Sequence, residues 1–181
     1  MPVRPVLRLP HDALGAICRP VGRVDDAARD LARDLVDTMR VSPACVGLAA
    51  NQIGGRLRAV VVDVTGHPKG RSCHGLIVLF DPELVEAGAP ATAREGCMSV
   101  PDLTGDVARP ERVTVAGLDL GGHRISVEAD GLEARALLHE IDHLDGRLFL
   151  DRTVSPGAVF LRKVYRQGRG GGRPPGEPRP P

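Results

Sequence analysis

The sequence has no tryptophan, and its only aromatic residues are Phe80, Phe149, Phe160 and Tyr165. So few rings leave little to stack on nucleobases. They also leave the core to be filled by Leu, Val, Ile and Ala. Net charge is nearly absent as well, because 24 Lys and Arg stand against 23 Asp and Glu, giving +1. That balance argues against a dedicated DNA-binding protein. No apolar run reaches the roughly 18–20 residues that a bilayer span needs, so no membrane partner is expected. The opening Met1-Pro2-Val3-Arg4-Pro5 lacks a long apolar stretch before a small-residue cleavage site, so no signal peptide is expected. Four cysteines, Cys18, Cys45, Cys73 and Cys97, are too few and too scattered for a disulfide scaffold. No two of them form a Cys-x-x-Cys pair, which excludes a four-cysteine zinc finger. A reducing cytoplasm is the expected compartment.

What is present is enough for one domain, since 181 residues can bury a substantial aliphatic core. The near-neutral sum hides an asymmetry. From Arg162 onward there are six basic residues and one acid, a net +5, so residues 1–161 carry −4. Five Gly and five Pro fill ten of the fourteen positions from Gly168 to Pro181. The division expected is a folded domain over 1–161 and a basic, Gly/Pro-rich tail over 162–181 without packed structure. Such a tail could tether the chain to an anionic partner.

Asp25 or Asp26 is placed to cap a helix. Ala28, Leu31, Ala32, Leu35, Val36 and Met39 then recur at the spacing of one buried face, and Asp30, Arg33, Asp34 and Asp37 fall on the other. Val60–Val64 reads as a strand, and Leu76–Phe80 as another, closed by Asp81-Pro82. Arg112–Leu120 and Arg124–Val127 alternate about Gly121-Gly122, the pattern of a hairpin. Asp130 is placed to cap a second helix from Leu132 to Asp145, with Ala134, Leu137, Leu138, Ile141 and Leu144 as its apolar stripe and Gly146 as its stop. Strands between two helices without βαβ alternation predict an α+β fold.

The second helix carries His139-Glu140-Ile141-Asp142-His143. Positions i and i+4 share a helical face, so both imidazoles reach one metal ion. Glu140 lies beside that face, where it can handle a proton of a water activated there. A third protein ligand is needed. One protease pattern would place a histidine where this chain has Phe149. Another takes a downstream glutamate, and the only Glu after His143 is Glu177 in the tail. The ligand therefore comes from upstream, and Cys97, within Glu95-Gly96-Cys97-Met98-Ser99, is the best candidate. A thiolate with two imidazoles suits Zn, Fe, Co or Ni. Cys18, Cys45 and Cys73 lack such a context and read as small buried apolar residues.

Three segments together resemble the signature motifs of the peptide deformylase family, in order and spacing. Cys45-Val46-Gly47-Leu48-Ala49-Ala50-Asn51-Gln52 resembles G-x-G-L-A-A-x-Q, Glu95–Ser99 resembles E-G-C-L-S, and His139–His143 matches H-E-x-D-H. The resemblance runs from about Val3 to Asp151. It implies mixed or antiparallel sheets packed around a metal-bearing central helix. It also implies removal of the formyl group from the formyl-methionine of nascent polypeptides, which are then the substrate partner. Cys97, His139 and His143 would bind Fe²⁺, for which Zn²⁺, Ni²⁺ or Co²⁺ can substitute. Glu140 would act as base and then acid, while the Gln52 side chain and the Met98 backbone N–H would donate to the tetrahedral oxygen. Substrate binding would involve Val46, Gly47, Arg109, Leu132 and Ala136, with Arg135 structural and the ribosome a transient partner through the tail. The chain departs from the family pattern at Cys45, where a glycine is usual, at Leu138, where glutamine is frequent, and at Asp81-Pro82, where Asn-Pro is common. None of these removes a ligand, base or oxyanion donor. Cys45 bears on substrate range, and it keeps open a specialised deformylase or amidase with another N-formyl substrate. A metalloprotease lacks its third ligand here. A non-catalytic metal-binding relative would be free to lose Glu140 or Gln52, and both are present.

Overall fold

A computed structural model describes residues 3–162. The expected tail beyond Arg162 lies outside the described residues. Among the described residues, two α-helices and eight strands form an α+β fold. Helix α1 spans Asp26–Val41 and α2 spans Gly131–Leu144. The strands are β1 (Gly47–Ala49), β2 (Ala59–Val62), β3 (Ile77–Ala87), β4 (Pro90–Cys97), β5 (Val100–Pro110), β6 (Arg112–Leu118), β7 (Arg124–Asp130) and β8 (Val159–Leu161). One sheet has the order β1-β2-β3-β6-β7 and the other β4-β5-β8. Every strand pairing in both is antiparallel. Helix α2 packs against β1, β2 and β7 of the larger sheet and touches β5 of the smaller one. It is therefore the central element.

Helix α1 forms where the periodicity places it. The Asp25 carboxylate accepts from the Ala28 N–H at 2.9 Å and caps it. Ala28, Ala32, Leu35 and Met39 are buried, with Leu31 and Val36 flanking them. Asp34, expected on the wet face, is buried instead, because Arg4 from the N-terminal segment folds over it at 2.6 Å. The helix ends at Val41, two residues before Pro43, which disfavours helical backbone just ahead of it.

The expected strand ending at Asp81-Pro82 runs on to Ala87. It passes the obstacle by a register shift between Phe80 and Glu83. Asp81 takes the left-handed region at φ 48°, and its carboxylate accepts the N–H groups of Val21 and Gly22 at 2.7 and 2.8 Å. Proline's missing donor is thus accommodated at a bulge rather than at a strand end. The β6–β7 hairpin forms about Gly121-Gly122, with Gly122 at φ 82°. Asp130 precedes α2 but does not cap it, because its carboxylate turns to the Ser72 N–H at 2.9 Å. Gly146, at φ 70°, ends the turn beyond α2.

The aliphatic core lies between the larger sheet and both helices, with Phe80 its one fully buried ring. Val100, Val107, Leu148 and Phe149 form a second, smaller cluster with Cys97 under the β4–β5 hairpin.

Candidate metal centre

The site forms where these two apolar clusters meet. The ligand atoms of Cys97, His139 and His143 all lie within 4.8 Å of one another, and all three residues are buried. Helix α2 supplies both histidines one turn apart, their rings 5.0 Å centroid to centroid. Strand β4 supplies Cys97 at its last residue, where the turn to β5 brings the Sγ to 3.2 Å from His143 Nε2. Two imidazoles and a thiol converging in a buried space fit a divalent transition ion, with room left by the fourth side of the donor set. Phe149, which stands where another metalloenzyme pattern has a histidine, lies nearly parallel to the His139 ring at 6.5 Å and walls it in.

Glu95 organises the ligands from behind. One oxygen accepts from His139 Nδ1 at 2.9 Å, which leaves Nε2 for the ion. The same carboxylate takes Arg109 at 2.6 and 3.1 Å and Arg135 at 2.7 Å. Burial opposes its charge, but the His139 and Arg109 hydrogen bonds outweigh that and bring its pKa down to about 2. Burial also works against charge on His139, yet hydrogen bonds to Cys97 and Glu95 push that ring well above its ordinary value. Burial pushes His143 well below it.

Glu140 sits beside the ligands with its Oε2 buried and without a partner among the described residues. Burial raises its carboxyl to about 7, against the opposing pull of His139 and Arg109. A proton carrier for neutral pH needs such a value. Gly47 makes room for it: a Cβ there would lie 2.6 Å from Glu140 Oε1. On the other side, Gln52 anchors its Oε1 on the Ala49 N–H at 2.9 Å. That turns its Nε2 donor toward Ser99 Oγ at 3.2 Å and Cys97 Sγ at 3.6 Å.

A cavity of about 170 Å³ opens over these groups. Val46, Gly47, Gln52, Cys97, Met98, Leu132, Ala136, His139 and Glu140 all line it, so most of the residues singled out in the sequence meet in one place. His143 lies behind, fully buried. Arg109 does not join them. It is buried beneath the site, with its guanidinium committed to Glu95 and to Asp142 at 2.7 Å, so contact with a peptide is replaced by support of Glu95. Arg135 also binds the carbonyls of Val107 and Ala91, at 3.0 and 2.7 Å, and ties α2 to the hairpin, a structural role. A larger groove of about 550 Å³, lined by Glu86, Arg112, Thr114 and Glu128, gathers none of the predicted site residues.

The sequence reading missed Glu95 as the hub. The available signal was its place two residues before Cys97, on the same face of the strand. Of the other cysteines, Cys18 is buried as expected, Cys73 is exposed, and Cys45 is half-buried in the cavity wall. Burial, reinforced by Glu140, pushes the Cys45 thiol up to about 12. It stays protonated and its Sγ lies 3.0 Å from the Gly47 carbonyl, to which it donates.

The family model described as polypeptide deformylase matches residues 3–158. A peptide deformylase of Mesorhizobium japonicum is 43% identical over 168 residues, covering 92% of this chain and 93% of its own. One from Methylocella silvestris is 43% identical over 152 residues, covering 83% and 77%. Among solved structures, a peptide deformylase from Legionella pneumophila superposes with a TM-score of 0.77 at 39% identity, covering 87% of this chain and 89% of its own. One from Synechococcus elongatus in complex with actinonin does so at 0.76 and 35%, covering 87% and 82%.

Proposed function

The chain belongs to the polypeptide deformylase family, hydrolases that remove the N-formyl group from nascent peptides, and on that premise we propose how its residues divide the reaction. Formyl-methionyl peptides are the substrate and formate is released. The observation that carries the assignment of roles is the meeting, at and directly behind one cavity, of three ligand side chains, a buried carboxyl whose Oε2 has no partner among the described residues, and an amide donor.

Cys97, His139 and His143 would hold a divalent cation, and we assign Fe²⁺ to the site, with Zn²⁺, Ni²⁺ or Co²⁺ able to replace it. When bound, such an ion supplies Lewis acidity, polarising the formyl oxygen and bringing the pKa of water toward about 7. Glu140 takes the proton of the attacking water and later delivers it to the departing amine. Its raised pKa supports both halves of that exchange. Gln52 Nε2 and the Met98 N–H donate to the formyl oxygen as it gains charge, and losing one such donor typically costs ~100–1000-fold in rate. Val46, Leu132 and Ala136 form an apolar pocket for the methionine side chain. Beside α2, two of the cavity walls come from β1 and β4, each an edge strand of its own sheet. Both walls therefore offer main-chain groups to an extended peptide, with Gly47 beside it.

The reading is tested by formate release from formyl-Met peptides with anaerobically prepared, iron-loaded protein. Glu140→Ala and Cys97→Ser are expected to lose at least ~100-fold, and wild-type rates in either would overturn the assignment. Iron-loaded protein should lose activity in air while nickel-loaded protein keeps it. Equal persistence of both would remove the reason for choosing iron.

No helix among the described residues is long and apolar enough to cross a membrane. The cytoplasm, where formylated chains emerge, is the compartment we assign. We further assign the basic segment after Arg162 a transient contact with the ribosome. Cosedimentation of the full chain should weaken as salt rises and weaken further on truncation after Gly168. Indifference to truncation would exclude the tail.

A further inference from the structure

We propose that Asn51, at the second variable position of the first motif, is a positioning residue that sets the distance between the oxyanion donor Gln52 and the ligand helix α2; the proposal rests on the deformylase reading above. Asn51 and Gln52 are neighbours in the short helical turn Ala50–Ile53, and both are buried. Their side chains face different partners. Gln52 reaches toward Cys97 and Ser99. Asn51 Nδ2 donates to the backbone carbonyl of His143, the ligand residue itself, and lies 3.4 Å from the carbonyl of Leu14.

The orientation of this amide follows from its surroundings. Two carbonyl oxygens demand a donor, so Nδ2 must face them and Oδ1 must face away. Oδ1 is then buried with no partner among the described residues. The turn leaves an acceptor unsatisfied while keeping both N–H groups on the carbonyls of His143 and Leu14. Only a residue with a forked donor at this reach does that. Aspartate would set negative oxygen against both carbonyls, and threonine or serine offers one hydrogen.

The end of α2 has other anchors. The Cys18 N–H donates to the Leu144 carbonyl at 2.8 Å, and Arg58 pairs with Asp145 at 2.6 Å. These hold the helix end without touching the Gln52 turn. Loss of Asn51 therefore leaves α2 in place but frees Gln52 and the His143 main chain from one another. Partners that hydrogen-bond a ligand's own ring or carboxylate are typically worth about 10–100-fold in metal affinity or activity, which sets the upper range for a partner that holds the ligand's main chain.

The test compares Asn51→Ser and Asn51→Leu with Arg58→Gln, which disturbs the same helix end through Asp145. Each protein is loaded with Co²⁺, and three quantities are read: the cobalt–thiolate absorption spectrum, the rate of cobalt loss to excess chelator, and kcat and KM for a formyl-Met peptide. In Asn51→Leu, cobalt loss should accelerate and kcat fall by about 10–100-fold, with KM within about threefold and an altered spectrum. Asn51→Ser, which keeps one donor, should fall between it and the parent. Arg58→Gln should lower the melting temperature while leaving spectrum and kcat unchanged. Parental spectra, release rates and kcat in the Asn51 variants would overturn the proposal, as would an Arg58→Gln protein that reproduces their effects. If Asn51→Leu fails to fold, Asn51→Ser decides by the same criteria. The spectrum and release rate need no substrate, so a parent inactive on formyl-Met peptides would defeat the deformylase reading and leave these two readouts to judge Asn51.

Discussion

Gly47 and Glu140 lie far apart in the chain and meet in the site. A Cβ on residue 47 would stand 2.6 Å from Glu140 Oε1 and 3.0 Å from its Cγ. Contacts that short force the carboxyl to move. Gly47→Ala is expected to retain the ion, because no ligand is touched, and to lose on the order of 100-fold in kcat through misplacement of the proton carrier. Metal content by elemental analysis beside steady-state kinetics checks both halves. Loss of metal together with activity would mean that the glycine serves the ligands instead. The His139–His143 spacing and the thiol of Cys97 were legible in the sequence, because a shared helical face and ligand chemistry are local properties. The reason for Gly47 was not, since it depends on a side chain delivered by another element. Arg109 shows the converse. The family resemblance implies a part for it in substrate binding, and only the fold reveals two carboxylates already holding it.

At the scale of elements, the β4–β5 hairpin is the part least visible in the sequence and most important to the site. Strand β4 is mostly exposed, and the two residues it buries are Glu95 and Cys97. Its period-two pattern is therefore written in functional groups rather than in apolar ones, and prolines bound the hairpin at residues 90 and 110. Helices α1 and α2, each of which buries a stripe of ordinary aliphatics beside its few buried polar residues, were legible nearly to their ends. The hairpin is held to α2 by the Glu95 network with Arg109, Arg135 and His139. Glu95 has its pKa lowered from the ordinary 4.5 to about 2 in the fold. A carboxylate depressed in this way contributes stability that is complete above its unfolded value and is lost as pH falls through the folded one. Stability should therefore decline between about pH 4.5 and about pH 2. Glu95→Gln should remove that part of the profile and cost ~3–5 kcal/mol near neutrality, the usual effect of breaking a buried pair from one side. Urea unfolding of both proteins across this range measures it, and parallel profiles would show that other carboxylates carry the acid sensitivity.

Across the whole molecule, the near absence of aromatic residues leaves two aliphatic clusters, and the site lies at their boundary. The larger cluster holds both helices and the five-stranded sheet. The smaller one holds Cys97, Val100, Val107, Leu148 and Phe149 under the three-stranded sheet. The sequence could indicate a single α+β domain because its helices and the β6–β7 hairpin are locally encoded. It could not indicate the division into two sheets, which arises because β3 pairs with β6 and leaves the β4–β5 hairpin between them to form a sheet of its own with β8. Two of the ligands belong to α2 and the third to the smaller cluster, so a bound ion joins the two parts of the fold. An ion that binds only the folded chain stabilises it by ~4 kcal/mol at about a thousand times its dissociation constant. Its removal should therefore loosen the smaller sheet first. After chelation, the melting temperature should fall, and amide exchange should accelerate in β4 and β5 well before it does in α1 and β2. Equal acceleration in both regions would show that the ion acts on global unfolding and not on the docking of one sheet against the other. Unchanged exchange throughout would place the whole contribution of Cys97, His139 and His143 in chemistry and none in the fold.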